Sequence, residues 1–251
     1  MTGDAILRAE GITCRFGRFT ALRDVSASFP RGALTAVIGP NGAGKSTFFN
    51  ILSGSIPPTE GRVVYEGRDL ARTPQHRYAR LGIAKSFQIT TVFPSLSVAE
   101  CVRVACQALV SRYDIWRPRA RLTALDDEAA ALLDTVGLWD KRARPAGLLA
   151  HGEQRALEIA MALAARPRLL LLDEPTAGMS PEETRAMMQL ILRLARERTV
   201  VLVEHKMKLV MGISDRVLVL HHGEVLAEGT PADIRGDATV RRVYLGQRDA
   251  A

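Results

Sequence analysis

Gly39-Pro40-Asn41-Gly42-Ala43-Gly44-Lys45-Ser46 fits the phosphate-loop pattern G-x-x-x-x-G-K-[ST], and the residues on either side of it decide the fold. Ahead of it, Leu34-Thr35-Ala36-Val37-Ile38 reads as a short buried strand. Behind it, Thr47-Phe48-Phe49-Asn50-Ile51-Leu52 reads as the start of a helix. A strand, a glycine-rich turn and a helix together aim backbone N–H groups and the helix's positive end at one point, which suits a polyphosphate. Gly42 and Gly44 let the backbone come close to the phosphates. Lys45 can reach the β- and γ-phosphates, and the Ser46 hydroxyl is placed to ligate Mg²⁺. The chain is therefore expected to bind a nucleotide.

The composition agrees with an α/β protein. The chain has 251 residues, 47% hydrophobic and 24% charged, which suits one large soluble α/β unit or two intimately packed lobes. No run approaches the roughly 18–20 apolar residues a membrane span requires, and Met1 to Glu10 lacks the basic start and apolar core of a secretion signal. The expectation is a cytoplasmic chain. Cys14, Cys101 and Cys106 form no C-x-x-C pair and read as reduced thiols. The net charge of +7 rests on 29 Arg against 5 Lys. Such a surface could meet anionic lipid or nucleic acid, but arginine spread over solvated faces gives the same balance. The densest group, Arg112, Arg117, Arg119 and Arg121 around Trp116, is too short and irregular for a nucleic-acid signature.

Along the chain, residues 5–30 alternate as half-buried strands do, with Val25, Ala27 and Phe29 facing one way and Ser26 and Ser28 the other. Arg62 to Gly67 adds a strand, giving an antiparallel layer beside the nucleotide core. Ser97 to Leu109 and Asp126 to Val136 are helical in period, and Ser97-Val98-Ala99-Glu100 is a capping box. The stretch from about 93 to 148 reads as a helical lobe inserted into the core. Leu169 to Leu172 and Val200 to Val203 are continuous apolar runs, as expected of parallel strands buried on both faces. Between them Ser180, Pro181 and Glu183 mark a helix start. Val217 to Leu220 and Glu224 to Ala227 flank His221-His222-Gly223 as a hairpin, and Thr230-Pro231-Ala232-Asp233 opens the closing helices.

Asp173 ends the four-leucine strand and is followed at once by Glu174. A carboxylate at the tip of a buried strand near a phosphate loop is placed to hold Mg²⁺. The adjacent Glu174 can polarise an attacking water as general base.

The phosphate loop, Leu149-Ala150-His151-Gly152-Glu153-Gln154 and Leu169 to Glu174 together resemble the ATP-binding-cassette (ABC) ATPases over nearly the whole chain. The resemblance implies an α/β P-loop NTPase with a RecA-like parallel sheet, an N-terminal antiparallel β layer and an inserted α-helical lobe. It implies one domain, with residues 1–92 and 149–251 as the nucleotide-binding core and 93–148 as the lobe. ATP and Mg²⁺ are the implied cofactors. Gly39 to Thr47 would hold the phosphates, with Ser46, Gln88 and Asp173 on the metal. The segment from Ala150 to Glu153 would open a helix whose N-terminus covers the γ-phosphate bound to the opposite subunit. Gln88 matches the glutamine that contacts Mg²⁺ and the water. His205 matches the switch histidine that hydrogen-bonds the γ-phosphate, and Phe16 sits where the family stacks an aromatic ring on adenine. The catalytic set implied is thus Glu174, His205, Gln88 and Lys45.

Two departures from the family pattern stand out. Ala150 and His151 replace the Ser and first Gly of the usual Leu-Ser-Gly-Gly-Gln, so a serine hydroxyl contact to the phosphate is missing, and His151 either supplies a replacement donor or faces solvent. Ser180 stands where the family often has Asp, and both are good N-caps.

Glu204 to Arg216, Ala150 to Ile159, Ala177-Gly178-Met179 and Val243 to Gly246 resemble importer ATPases for branched-chain and other hydrophobic amino acids, whose relatives take urea, short amides or aromatic acids. Such an ATPase pairs with a second cassette chain, a sister or itself, under two membrane permease subunits fed by a substrate-binding protein. It would lie peripherally on the cytoplasmic face of the membrane. An apolar groove near Phe93, Pro94 and Leu96 would receive a permease helix, unless those three only pack the lobe. Two rival readings are a lipid- or lipopolysaccharide-exporter ATPase and a soluble cassette ATPase acting on DNA or ribosomes. The segment after His205 argues against the first. The second commonly carries two cassettes, coiled-coil insertions or zinc motifs, and none appears, so no nucleic-acid partner is expected.

Overall fold

The computed structural model describes residues 5–86, 93–110 and 119–245. In chain order the strands are β1 Ala5–Phe16, β2 Phe19–Pro30, β3 Leu34–Ile38, β4 Glu60–Tyr65, β5 Arg68–Asp69, β6 Ile83–Lys85, β7 Leu169–Asp173, β8 Thr199–Val203, β9 Arg216–His221 and β10 Glu224–Gly229. The helices are α1 Lys45–Leu52, α2 Tyr78–Leu81, α3 Val98–Val110, α4 Arg119–Thr135, α5 His151–Leu163, α6 Pro181–Ala195, α7 Met207–Ile213, α8 Pro231–Gly236 and α9 Ala238–Val240.

Two sheets result. One is antiparallel in the order β2-β1-β4-β5, and the other runs β10-β9-β3-β8-β7-β6. In the second, β9, β3, β8, β7 and β6 are mutually parallel and β10 pairs antiparallel at the edge. Every residue of β3, β7 and β8 is buried, because helices and the other sheet cover both faces of these strands. In β2 the alternation from Val25 to Phe29 holds, apolar in and serine out, because one face of that sheet meets water. The α/β fold expected from the sequence is the one observed.

Element ends differ from expectation for local reasons. The strand expected over Arg62 to Gly67 is shifted two residues earlier, because Glu66 and Gly67 take φ of 47° and 78° and make the tight turn into β5. The helix expected from Asp126 begins at Arg119, since no Gly or Pro intervenes before Gly137, whose φ of 73° ends it. The two capping boxes form as read, with Glu100 accepting from Ser97 N–H at 2.8 Å and Glu183 from Ser180 N–H at 2.9 Å, and a third stands where Thr230 opens α8, Asp233 accepting from Thr230 N–H at 2.8 Å.

Between β6 and β7 the described chain is helical, yet it has no core of its own. Val98, Cys101 and Leu133 from α3 and α4 share one apolar cluster with Leu157 of α5, Ile191 of α6 and Leu170 and Leu172 of β7. Force on the α3–α4 face therefore reaches the sheet through packed side chains. A second cluster joins Phe29, Phe48 and Leu171, fixing α1 between the two sheets. Among the described residues no helix is long and apolar enough to cross a membrane.

Ser180 caps α6 through its hydroxyl, which accepts from Glu183 N–H at 3.2 Å. Ser180→Ala is expected to destabilise the chain by about 1 kcal/mol in urea unfolding, while Ser180→Asp, an equally good cap, keeps wild-type stability within roughly half of that.

Candidate functional site

β3 runs through the middle of the parallel sheet, flanked by β8 and β9, and delivers the glycine-rich loop at its C-terminal end. The loop is gripped from behind. A Cβ on Gly39 would lie 2.2 Å from the Leu220 carbonyl oxygen, and one on Gly44 would lie 2.7 Å from that of Ala21. Gly44 also takes φ of 94°, a left-handed conformation that L side chains resist. Gly223, at the β9–β10 turn, donates its N–H to the Ala43 carbonyl at 3.1 Å and accepts from Arg23 N–H at 2.8 Å. Gly44 is the N-cap of α1 and provides no side-chain acceptor, so the first-turn N–H groups point forward without a capping side chain.

Lys45 is 5% exposed and donates from Nζ to the carbonyls of Gly39 and Pro40, both at 2.9 Å. Burial lowers its pKa, opposed by the negative charge of Glu174 and Asp173. It is a cation held at the mouth of the loop by acceptors a phosphate oxygen can replace.

β7 and β8 supply the opposite wall. Asp173 pairs in register with Val203, so Glu174 and Glu204 emerge side by side from adjacent strands. Asp173 is 2% exposed, and among the described residues its Oδ1 has no hydrogen-bond partner. Burial raises its pKa, with Lys85 the main opposing charge. Glu174 takes φ of 45° and places Oε1 2.5 Å from His205 Nε2. The loop from Asn41 to Thr47, Glu174 and His205 line one cavity of about 260 Å³, together with Phe19 and Ala21.

An orphaned carboxylate oxygen is the donor chemistry of a hard cation such as Mg²⁺. Among the described residues no cluster of three His, Cys, Asp or Glu could hold a metal by itself. Of the residues expected on such an ion, Ser46 lines the cavity and Asp173 carries the unpartnered oxygen. Gln88, expected on the same ion, lies outside the described residues. Ser86, two positions before it, is anchored by its N–H to the Leu171 carbonyl at 2.9 Å.

The remaining site residues are placed as follows. Phe16 ends β1 and is 53% exposed, paired with Phe19 across the Gly17-Arg18 turn. Phe19, 65% exposed and lining the cavity, escaped the sequence reading. The F-x-x-F spacing around a glycine turn was the signal for it. Ala150 to Glu153 open α5, outside that cavity. Glu153 accepts from Ala150 N–H at 3.1 Å and pairs with Lys141, which is half of a capping box, since alanine has no oxygen to return. His151 is exposed, and its Nε2 donates to the Ala177 carbonyl at 3.1 Å. Gly152 N–H donates to Glu183 at 3.2 Å, and that bond, after the stronger one from Ser180, holds the Glu183 carboxyl below the usual range.

A separate apolar cleft of about 300 Å³ lies where β6 meets α3 and α5, lined by Tyr78, Ile83, Ala105, Ala108 and Met161. Of the three residues expected to line a groove, Phe93 is 45% exposed, Leu96 packs on the α3–α5 cluster, and Pro94 lies against Gly147.

Comparison with known proteins places this geometry. Residues 22–177 match the ABC transporter family, and residues 224–250 match the pattern described as branched-chain amino acid ATP-binding cassette transporter. The high-affinity branched-chain amino acid transport ATP-binding protein LivG of Salmonella typhimurium is 40% identical over 96% of this chain and 98% of its own. Among solved structures, the ADP conformation of an ATP-binding cassette of an ABC transporter superposes with a TM-score of 0.84 at 29% identity, over 96% of this chain and 99% of that one. A dimeric bacterial ABC transporter cassette superposes with a TM-score of 0.76 at 25% identity, over 90% of this chain and 98% of that one. With its phosphate loop, paired carboxylates and cassette fold, the chain belongs to the ATP-binding-cassette ATPases of ABC transporters.

Proposed function

We propose that this chain is the ATP-hydrolysing subunit of an importer for branched-chain or other hydrophobic amino acids. One observation carries the mechanism: the phosphate loop and the Glu174–His205 pair share a cavity, while the α5 N-terminus stands outside it on the same chain. A helix N-terminus is an anion site, so each α5 would complete the site of a second cassette once a phosphate displaces Glu183 from the Gly152 N–H. Two chains close head-to-tail around two ATP molecules. The second cassette is either a sister subunit or another copy.

Within each site, the first-turn N–H groups of α1 cradle the phosphates, and Lys45 exchanges its two carbonyl partners for phosphate oxygens. Ser46, Asp173 and Gln88 would hold Mg²⁺, which supplies charge neutralisation on the phosphates. Glu174 accepts the proton of the attacking water, and His205 holds Glu174 in place and meets the γ-phosphate. Phe16 and Phe19 present exposed rings on the side where the base would lie. Ala150, His151, Gly152 and Glu153 act on the phosphate of the opposite site, with the Gly152 N–H, released from Glu183, standing in for the missing serine.

The cargo reading rests on the full-length match to LivG and on the pattern matched at residues 224–250. Permease subunits would dock at the apolar cleft between β6, α3 and α5, and a substrate-binding protein would feed them from the far side of the membrane. The chain itself would sit peripherally on the cytoplasmic face.

Glu174→Gln is expected to lower turnover by roughly 10²–10⁴ while keeping ATP and a closed dimer, measurable by gel filtration with MgATP. Drawn as a tagged protein from detergent-solubilised native membranes, that variant should bring down a polytopic membrane pair and a cassette chain. Ribosomes or nucleic acid in their place would sink the transport reading. Lys45→Ala should weaken ATP binding itself by roughly tenfold or more, read by titration calorimetry.

Asp173 gives a pH-dependent test. Its folded pKa is raised, so its contribution to stability is lost as pH climbs above the unfolded value, and the ionised side chain is a burden at neutral pH. Asp173→Asn should therefore raise Tm by a few degrees at pH 7, and by less near pH 4, while Mg²⁺-dependent turnover collapses.

A further inference from the structure

Glu204 is 3% exposed, and the chemistry above makes no use of it. A buried carboxylate persists where donors replace water. Here there are three. Thr176 donates its N–H to Oε1 at 3.1 Å, and its hydroxyl binds the same oxygen. His205 donates its backbone N–H to Oε2 at 3.1 Å. Thr176 is itself fully buried, so its hydroxyl cannot turn to solvent instead. Lys206 grips the same residue from the other side, donating to the Thr176 carbonyl at 3.1 Å and to Thr184 Oγ1 at 3.2 Å.

The position follows from strand register. Because Asp173 and Val203 are paired, the first residues beyond the two strands, Glu174 and Glu204, are neighbours. Glu174 N–H is already fixed by the Val203 carbonyl at 2.9 Å. One carboxylate therefore joins the backbone of His205 to the turn that follows Glu174, while the His205 ring reaches Glu174 itself at 2.5 Å. The turn also leads onward: the next carbonyl, that of Ala177, accepts from His151 at the start of α5.

We propose that Glu204 is a positioning residue for ATP hydrolysis, holding His205 against Glu174 by clamping the His205 backbone to Thr176. The proposal rests on the roles given above to Glu174 and His205. An amide does not replace the carboxylate. Glutamine keeps one acceptor oxygen and sets an N–H donor against an N–H donor at the other. The displaced group is then His205, not the phosphate loop, so turnover and nucleotide binding separate.

The test uses the full-length chain with MgATP. Glu204→Gln and Thr176→Val are each expected to lower kcat roughly tenfold or more, with KM and ATP affinity within about twofold of wild type. Thr176→Ser, which keeps the hydroxyl, should retain most of the activity. The double variant should lose no more than the worse single one, because both break the same clamp. If folded Glu204→Gln turns over at the wild-type rate, or if the two losses multiply, the clamp is overturned. Should Glu204→Gln fail to fold, Thr176→Val against Thr176→Ser decides the question alone. A second readout separates this proposal from the one beneath it. The ring-nitrogen resonances of His205 in the nucleotide-free chain should move in both Glu204→Gln and Thr176→Val. Wild-type protein inert toward MgATP would remove the ATPase reading, whereas unmoved His205 resonances would remove only the clamp.

Discussion

The structure depends on how closely the phosphate-loop backbone is approached from behind. Backbone N–H groups can serve as a preorganised anion site only if the loop cannot collapse around them. Here β2 presses the Ala21 carbonyl on Gly44, β9 presses the Leu220 carbonyl on Gly39, and the turn beyond β9 holds the Ala43 carbonyl from Gly223. These supports come from both sheets. The antiparallel layer is thus part of the apparatus that stiffens the loop, and the position of β3 at the sheet centre brings all three supports within reach.

The same arrangement places charge where water is scarce. Lys45 and Asp173 are almost fully buried, and burial shifts each toward its neutral form. Glu174 and Asp173 oppose the shift at Lys45, and Lys85 opposes the one at Asp173, yet Asp173 keeps an oxygen with no hydrogen-bond partner among the described residues. Buried polar groups are nearly always satisfied in a finished fold. This exception, one of several among the described residues, falls at a position suited to an oxygen-seeking cation.

Much of this was legible in the sequence, and the reasons can be read residue by residue. The runs at Leu34, Leu169 and Val200 were clear because doubly covered strands contain almost no polar residue. Helix starts were clear at Ser97, Ser180 and Thr230 because a cap and its reciprocal carboxylate lie three residues apart. The start of α4 was not clear, since its first turn carries no capping pattern and its polar residues follow no sharp period. Phe19 and Glu204 were missed for a different reason. Their roles depend on which residues meet across a hairpin turn or across two strand ends, and pairing of that kind is set by register, which a single chain read locally does not disclose. His151 illustrates the limit from the other side. Its residue type suggested a phosphate donor or an exposed ring, and its partner is a carbonyl 26 positions away.

Glu174 stands in a left-handed backbone conformation, which for a residue with a Cβ costs on the order of 1–2 kcal/mol relative to glycine. With the role proposed for Glu174, stability and chemistry pull in opposite directions at a single codon. In a lineage that keeps the transporter's architecture but no longer needs hydrolysis at this site, relaxed selection would let position 174 drift toward glycine or asparagine. The loss of the carboxylate would then come with a gain in foldedness. A cassette of this kind can fall silent without decaying, and the backbone angle at one strand end is what makes that route downhill.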